Sequence, residues 1–208
     1  MITTILMDFD GVSFDLCEIH YEALNRAIQN IAGPRFLIQR PEHLEFYNGL
    51  PTKVKLKALT QVKGLDHNLH TKIHSEKQKL TLSVIKDTIK KNDKLIEIFD
   101  WIRGKGYKAG IVSNSVEDTV RTAIDLAGIA KYIDIYITNE SCIYAKPNPA
   151  QYLLAMSRLG VLPERTLALE DSRIGMQSAV RAGCRLGFIE NPSKLTLARV
   201  QEFIEVYS

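Results

Sequence analysis

Four short stretches of this chain hold residue types suited to phosphate chemistry. Asp8 and Asp10 flank Phe9 and run into Gly11. Residues two apart in a strand share a face, so both carboxylates can face one site at a strand's end. Two carboxylates this close repel each other unless a cation or a shared proton intervenes. A second acidic pair, Glu170-Asp171, follows a short apolar run. If the two pairs converge, four hard oxygen donors suit Mg²⁺, which binds through a few carboxylates plus substrate phosphate. Ser113-Asn114 and Lys146-Pro147 also lie near the ends of apolar runs. A hydroxyl with neighbouring backbone N–H groups, and an ammonium, are suited to cradling a phosphate. Each signal has a plainer alternative on its own. Asp-x-Asp-Gly also occurs in calcium loops and simple turns. Ser115 reads first as a helix cap, a lone Lys-Pro as solvent-facing, and Glu-Asp before a helix as favourable charge at its N-terminus. The order separates these readings, because each polar group follows a predicted strand, four times in succession.

The elements that must position these groups are legible from periodicity. The β-branched run 2–7 stops at Asp8 and reads as a buried strand. Leu95, Ile98, Phe99 and Ile102 recur at helical spacing, and Gly104 and Gly106 supply a stop. Strands are expected over 109–113, 132–138, 166–169 and 185–189. Helices are expected from Ser115, with Asp118 completing a capping box, to about Ala127, then over 149–159 and 173–182. This alternation predicts an α/β fold with a Rossmann-like parallel sheet and helices on both faces. Residues 15–90 lack a buried strand. Leu24, Ala27, Ile28 and Ile31, and then Leu56, Leu59 and Val62, repeat at helical spacing. The expected organisation is a discontinuous core of 1–14 and 91–208 with a small inserted helical domain, 15–90.

Asp8-Phe9-Asp10-Gly11-Val12, Ser113-Asn114, Lys146-Pro147 and Leu169-Glu170-Asp171-Ser172 together resemble the four motifs of haloacid-dehalogenase-like hydrolases. The insert resembles the helical cap of the β-phosphoglucomutase and phosphoglycolate-phosphatase branch. The resemblance implies Asp8 as nucleophile and metal ligand. It implies Asp10 as acid–base group that lends its backbone carbonyl to the metal. Ser113, Asn114 and Lys146 would bind phosphate, and Glu170 and Asp171 would complete a Mg²⁺ site. It also implies hydrolysis of a small phosphorylated metabolite, such as a sugar phosphate, through an aspartyl-phosphate. The alternative is a phosphomutase using the same intermediate. Dehalogenase members lack these metal-site carboxylates. Phosphonate-cleaving members use a cap lysine and usually lack the second aspartate, so Asp10 argues against both.

The insert bears on substrate. Gly49-Leu50-Pro51-Thr52-Lys53 resembles the cap loop that enters the active site, with Thr52 where related mutases often carry arginine, which leaves Lys53 as a candidate substrate contact. His20 matches a histidine that couples cap closure to catalysis in related mutases, whereas Leu16 replaces a small polar residue. Lysines 53 to 79 of the insert read most simply as a solvated helix face. Arg173 is a candidate for a charged substrate tail or for the surface.

Bulk properties exclude other classes. A net charge of +3 over 208 residues is too small and too scattered for a nucleic-acid surface. Cys17, Cys142 and Cys184 form no CxxC pair, so neither a zinc knuckle nor a disulfide framework is expected, and a reducing, cytoplasmic setting fits. The apolar start is too short for a signal peptide, and no run approaches a membrane span.

Overall fold

The computed structural model describes residues 1–207. Five parallel strands, β1 Thr4–Met7, β2 Lys108–Val112, β3 Ile135–Ile137, β4 Thr166–Glu170 and β5 Arg185–Phe188, form one sheet in the order β3-β2-β1-β4-β5. The chain thus leaves β1 towards β2 and β3 on one side and β4 and β5 on the other. A crevice at the carboxyl ends of the central strands is where such sheets bind ligands. Register pairs Leu6 with Gly110 and with Ala168. Leu6, Val112 and Ala168 therefore share a face, and they pack with Tyr152, Ala155, Met156 and Ala179. Ile5, Met7, Ile111, Leu167 and Leu169 point the other way and are equally buried. Continuous apolar runs of this kind are what a sheet covered on both faces requires.

The helices are α1 Cys17–Ala32, α2 Arg40–Glu42, α3 Thr52–Lys63, α4 His70–Thr88, α5 Asp93–Gly104, α6 Glu117–Leu126, α7 Ala150–Leu159, α8 Arg173–Arg181 and α9 Leu197–Val206. α7 packs on β2 and β3, α8 on β4 and β5, and α5 on β2 and α9. Side-chain caps start several of them. Asn92 accepts from the backbone N–H of Leu95 at 3.0 Å, and Ser172 accepts from that of Gly175 at 3.2 Å. None of the described helices is long and apolar enough to cross a membrane.

Two compact units result: Met1–Asp15 with Ile89 onward, and Leu16–Thr88. The second is wholly helical. α4 buries Ile73, Lys77, Thr81 and Ile85, one residue per turn, while α1 buries Ala23, Leu24, Ala27 and Ile28. Burying an isoleucine such as Ile73 is worth about 1.5–3 kcal/mol.

Four sequence expectations need correction. α6 begins at Glu117, and its N-cap Val116 supplies no side-chain bond. Ser115 is occupied elsewhere, its N–H donating to Ser113 Oγ at 3.0 Å. Glu140 accepts from the Glu117 N–H at 2.6 Å in place of a local cap. β3 is only three residues long because 130–132 coil into a 3₁₀ turn. Val62 lies 72% exposed at the end of α3, where Lys63 instead donates to Leu37 O and Glu42. The lysines of the insert do not all lie on a solvated face, since Lys55 and Lys77 are buried. α9, held by a Thr196 cap, was not anticipated.

Candidate active site

β1 delivers Asp8 to the centre of the sheet's carboxyl edge. Its N–H donates to Leu169 O at 2.9 Å, which continues the β1–β4 pairing one residue beyond Met7. That register sets Asp8 beside Glu170, on the face that α7 covers. A tight turn then fixes it: Phe14 N–H donates to Phe9 O, Gly11 N–H to Phe14 O, and Ser13 Oγ to Asp8 O at 2.8 Å. Gly11 has φ +92°, which favours glycine, and a Cβ there would lie 2.1 Å from Asp171 Oδ2. The missing side chain is therefore what lets Asp171 approach the first loop.

Lys146 is 3% exposed, and its ammonium spends all three donors. Nζ donates to Asp8 Oδ1 at 3.0 Å, Glu170 Oε1 at 2.6 Å and Val112 O at 2.7 Å. Asn114 positions its backbone from both ends: Lys146 N–H donates to Asn114 Oδ1 at 2.9 Å, and Asn114 Nδ2 donates to Lys146 O at 3.3 Å. Ser113 is buried at the end of β2, its N–H donating to Ile137 O. Gln151 Nε2 bonds the carbonyls of Ser113 at 3.1 Å and Thr138 at 3.3 Å, tying the ends of β2 and β3 together.

Ligand oxygens of Asp8, Glu170 and Asp171 lie within 4.8 Å of one another. These three carboxylates face one ammonium, so with all three ionised the cluster has two negative charges in excess. Burial, then the charge of Asp8, pushes Glu170 up to about 8 and Asp171 up to about 7. Lys146 pulls Glu170 back towards its charged form without offsetting those two effects. For Lys146, burial disfavours the charge, but Asp8 and Glu170 outweigh it and raise its pKa. Burial, reinforced by the neighbouring carboxylates, holds the Tyr152 hydroxyl well above its usual value, so it is a proton donor. Glu170 Oε2 and Asp171 Oδ1 are buried with no hydrogen-bond partner in the protein. Two orphaned carboxylate oxygens and a deficit of two positive charges fit a hard divalent cation.

The predicted residues thus divide. Asp8, Lys146, Glu170 and Asp171 converge, with Ser113 and Asn114 on the adjoining strand end. Asp10 lies in the same turn, half-buried, with its backbone bridged to Phe14, and its carboxyl is not among the three that cluster. His20 and Lys53 belong to the helical unit. Lys53 is exposed in the first turn of α3. His20 Nδ1 lies 3.1 Å from Lys77 Nζ; burial, then Lys77 and Lys55, hold its pKa well below 6.5. Arg173 is exposed on α8. Sequence reasoning missed Tyr152, which reads as an ordinary core position at helical spacing from Ala155 and Met156. It also missed the burial of Lys55 and Lys77, whose signal was their spacing on the apolar stripes of α3 and α4.

Known proteins resemble this chain over most of its length. The chain is 26% identical over 185 residues to a phosphorylated carbohydrates phosphatase of Thermotoga maritima, across 86% of this chain and 81% of that protein. It is 23% identical over 190 residues to pyrophosphatase PpaX of Bacillus velezensis, across 88% and 81%. The crystal structure of β-phosphoglucomutase from Clostridium difficile shares the fold, with a TM-score of 0.84 at 20% identity over 100% of this chain and 99% of that one. The pattern that defines haloacid dehalogenase-like hydrolases runs through residues 5–189, from β1 past β5 and across every member of the acidic cluster, and the chain belongs to that family.

Proposed function

We propose that this hydrolase is a Mg²⁺-dependent phosphatase that cleaves a small phosphorylated metabolite, a phosphorylated carbohydrate first among them, through an aspartyl-phosphate on Asp8. One observation carries the reading: Asp8 accepts from the Lys146 ammonium at 3.0 Å, and its carboxylate lies within 4.8 Å of those of Glu170 and Asp171. The carbohydrate class rests on the Thermotoga maritima relative.

Asp8, Glu170, Asp171 and the Asp10 carbonyl would hold the cation. When bound, Mg²⁺ supplies positive charge to the phosphoryl oxygens and offsets the carboxylates around the nucleophile. An Asp8 oxygen attacks phosphorus while the bond to the leaving oxygen breaks, and Asp10 gives that oxygen a proton. Water then attacks the acyl phosphate, Asp10 takes its proton, and phosphate leaves with Asp8 restored. Ser113 and Lys146 hold the transferring group in a site where positioning and charge do most of the catalysis. Residues 15–90 act as the cap that selects the substrate, with His20 and Lys53 as its candidate contacts. Three free cysteines support a reducing, cytoplasmic setting.

The test is phosphate release from a panel of sugar phosphates and other phosphorylated metabolites with Mg²⁺. Asp8→Asn is expected to lower turnover by roughly 10⁴-fold or more with the fold intact by circular dichroism. Retention of turnover in that variant would sink the proposal. Scoring isomerisation of a hexose 1-phosphate in the same assay separates phosphatase from phosphomutase, and an isomer product would move the assignment to the mutase.

A further inference from the structure

Tyr152 lies outside the four motifs, yet it touches the acidic cluster directly. It is fully buried in the first turn of α7, among the apolar side chains between that helix and the sheet. A phenylalanine would fill the same volume there, so packing does not explain the hydroxyl. That hydroxyl donates to Glu170 Oε1 at 2.5 Å, the same oxygen that accepts from Lys146 Nζ at 2.6 Å. The Lys146 ammonium also sits 5.2 Å from the centre of the Tyr152 ring. On the opposite side, Glu170 Oε2 is pressed against Gly175, where a Cβ would fall 1.8 Å away. The Glu170 carboxylate is thus wedged between a phenol from α7 and the backbone of α8.

We infer that Tyr152 is a positioning residue of the active site, fixing the Glu170 carboxylate and, through it, the Lys146 ammonium against Asp8. Nζ has three donors and three acceptors, two of them carboxylates. Its direction is set only while Glu170 Oε1 stays in place. Val112 O belongs to a strand and cannot follow a shift. Any rotation of Glu170 therefore draws the ammonium off Asp8 Oδ1. The effect falls on the transferring group rather than on binding of the remote part of the substrate.

This inference rests on the phosphatase reading, and its test is arranged so that the two can fail separately. Tyr152→Phe removes one oxygen and keeps the ring. With Mg²⁺ saturating, it is expected to lower kcat by about 10–100-fold, the range for loss of a hydrogen bond to a charged group, with KM unchanged. In a Glu170→Ala background, which removes the acceptor, the same substitution is expected to lower kcat no further. A kcat within about twofold of the parent would overturn the inference, as would equal losses in both backgrounds. Urea unfolding of the metal-free parent, both single variants and the double variant gives a readout independent of turnover. Non-additive midpoints are expected for groups in contact, and additive ones would overturn the proposal. If the parent protein cleaves none of the phosphate esters, the phosphatase reading fails while the unfolding cycle still decides the contact between Tyr152 and Glu170.

Discussion

The two units of this molecule bury charges of opposite sign. The sheet unit buries Asp8 and Glu170 around one lysine, while the helical unit buries Lys55, Lys77 and His43. Burial favours the neutral form in both, so the titrations move in opposite directions. In the sheet unit, burial and the Asp8 charge raise Glu170 and Asp171. In the helical unit, burial with Lys55 and Arg40 lowers His43 to about 4, and burial with Lys77 and Lys55 lowers His20. The lesson is that desolvation acts alike everywhere, and the sign of the neighbours decides what a site will accept. The acidic cluster is short of positive charge and suits a cation. The helical unit keeps two imidazoles neutral.

The largest way to break this contrast is to delete the ammonium that bonds the acidic cluster. Lys146→Met leaves Asp8 and Glu170 buried without their partner, and we expect about 3–5 kcal/mol of lost stability in metal-free urea unfolding. Phosphate release is expected to fall by about 10²–10³-fold at saturating Mg²⁺, the loss typical of one electrostatic contact to the transition state. An unfolding midpoint equal to the parent's would show that the cluster does not depend on Lys146.

A smaller effect follows from pH. The folded carboxyls of Glu170 and Asp171 bind protons more tightly than unfolded ones, with values of about 8 and about 7. Their contribution is complete at low pH and is lost as pH rises through those values. The two lowered histidines act in the other direction, but their effect is over by pH 6.5, their ordinary value. Between pH 6.5 and 8 the melting temperature of the EDTA-treated protein should therefore fall, by roughly 3–6 °C for a chain of this size. Millimolar Mg²⁺ should abolish the slope. A melting temperature that rises across this window without metal would contradict the raised carboxyls.

The smallest effect sharpens the other half of the comparison. Lys55→Met removes a positive neighbour of both histidines. In an NMR titration the His43 imidazole should move upward from about 4, and His20 should move in the same direction by less. Unchanged titration of both would mean that Lys55 sets neither.

The acidic cluster was legible in the sequence, and the basic one was not. Asp8, Ser113 and Glu170 each stand at or just past the last residue of a β-branched or apolar run. A parallel sheet must bring those ends to one edge, so their types and order were enough to predict a common site. Lys55 and Lys77 lie on long helices of mixed composition. Their burial depends on which face of α3 and α4 turns inward, and the charge of lysine argues for the outward one. Ser115 misled for a related reason: a hydroxyl before a helix reads as a cap, but its backbone was engaged by Ser113 and the cap came from Glu140, more than twenty residues away.

By itself, then, the order of strands, helices and polar strand ends determined the α/β sheet, the helical insert and the acidic residues of the site, because hydrophobic periodicity and strand polarity are local properties. Only the tertiary structure decided that Tyr152 reaches Glu170, that Asn114 grips the backbone of Lys146, and that Gly11 and Gly175 make room for two carboxylates. Those contacts join residues 5 to 160 positions apart. They depend on packing distances of a few ångströms, which no spacing along the chain encodes.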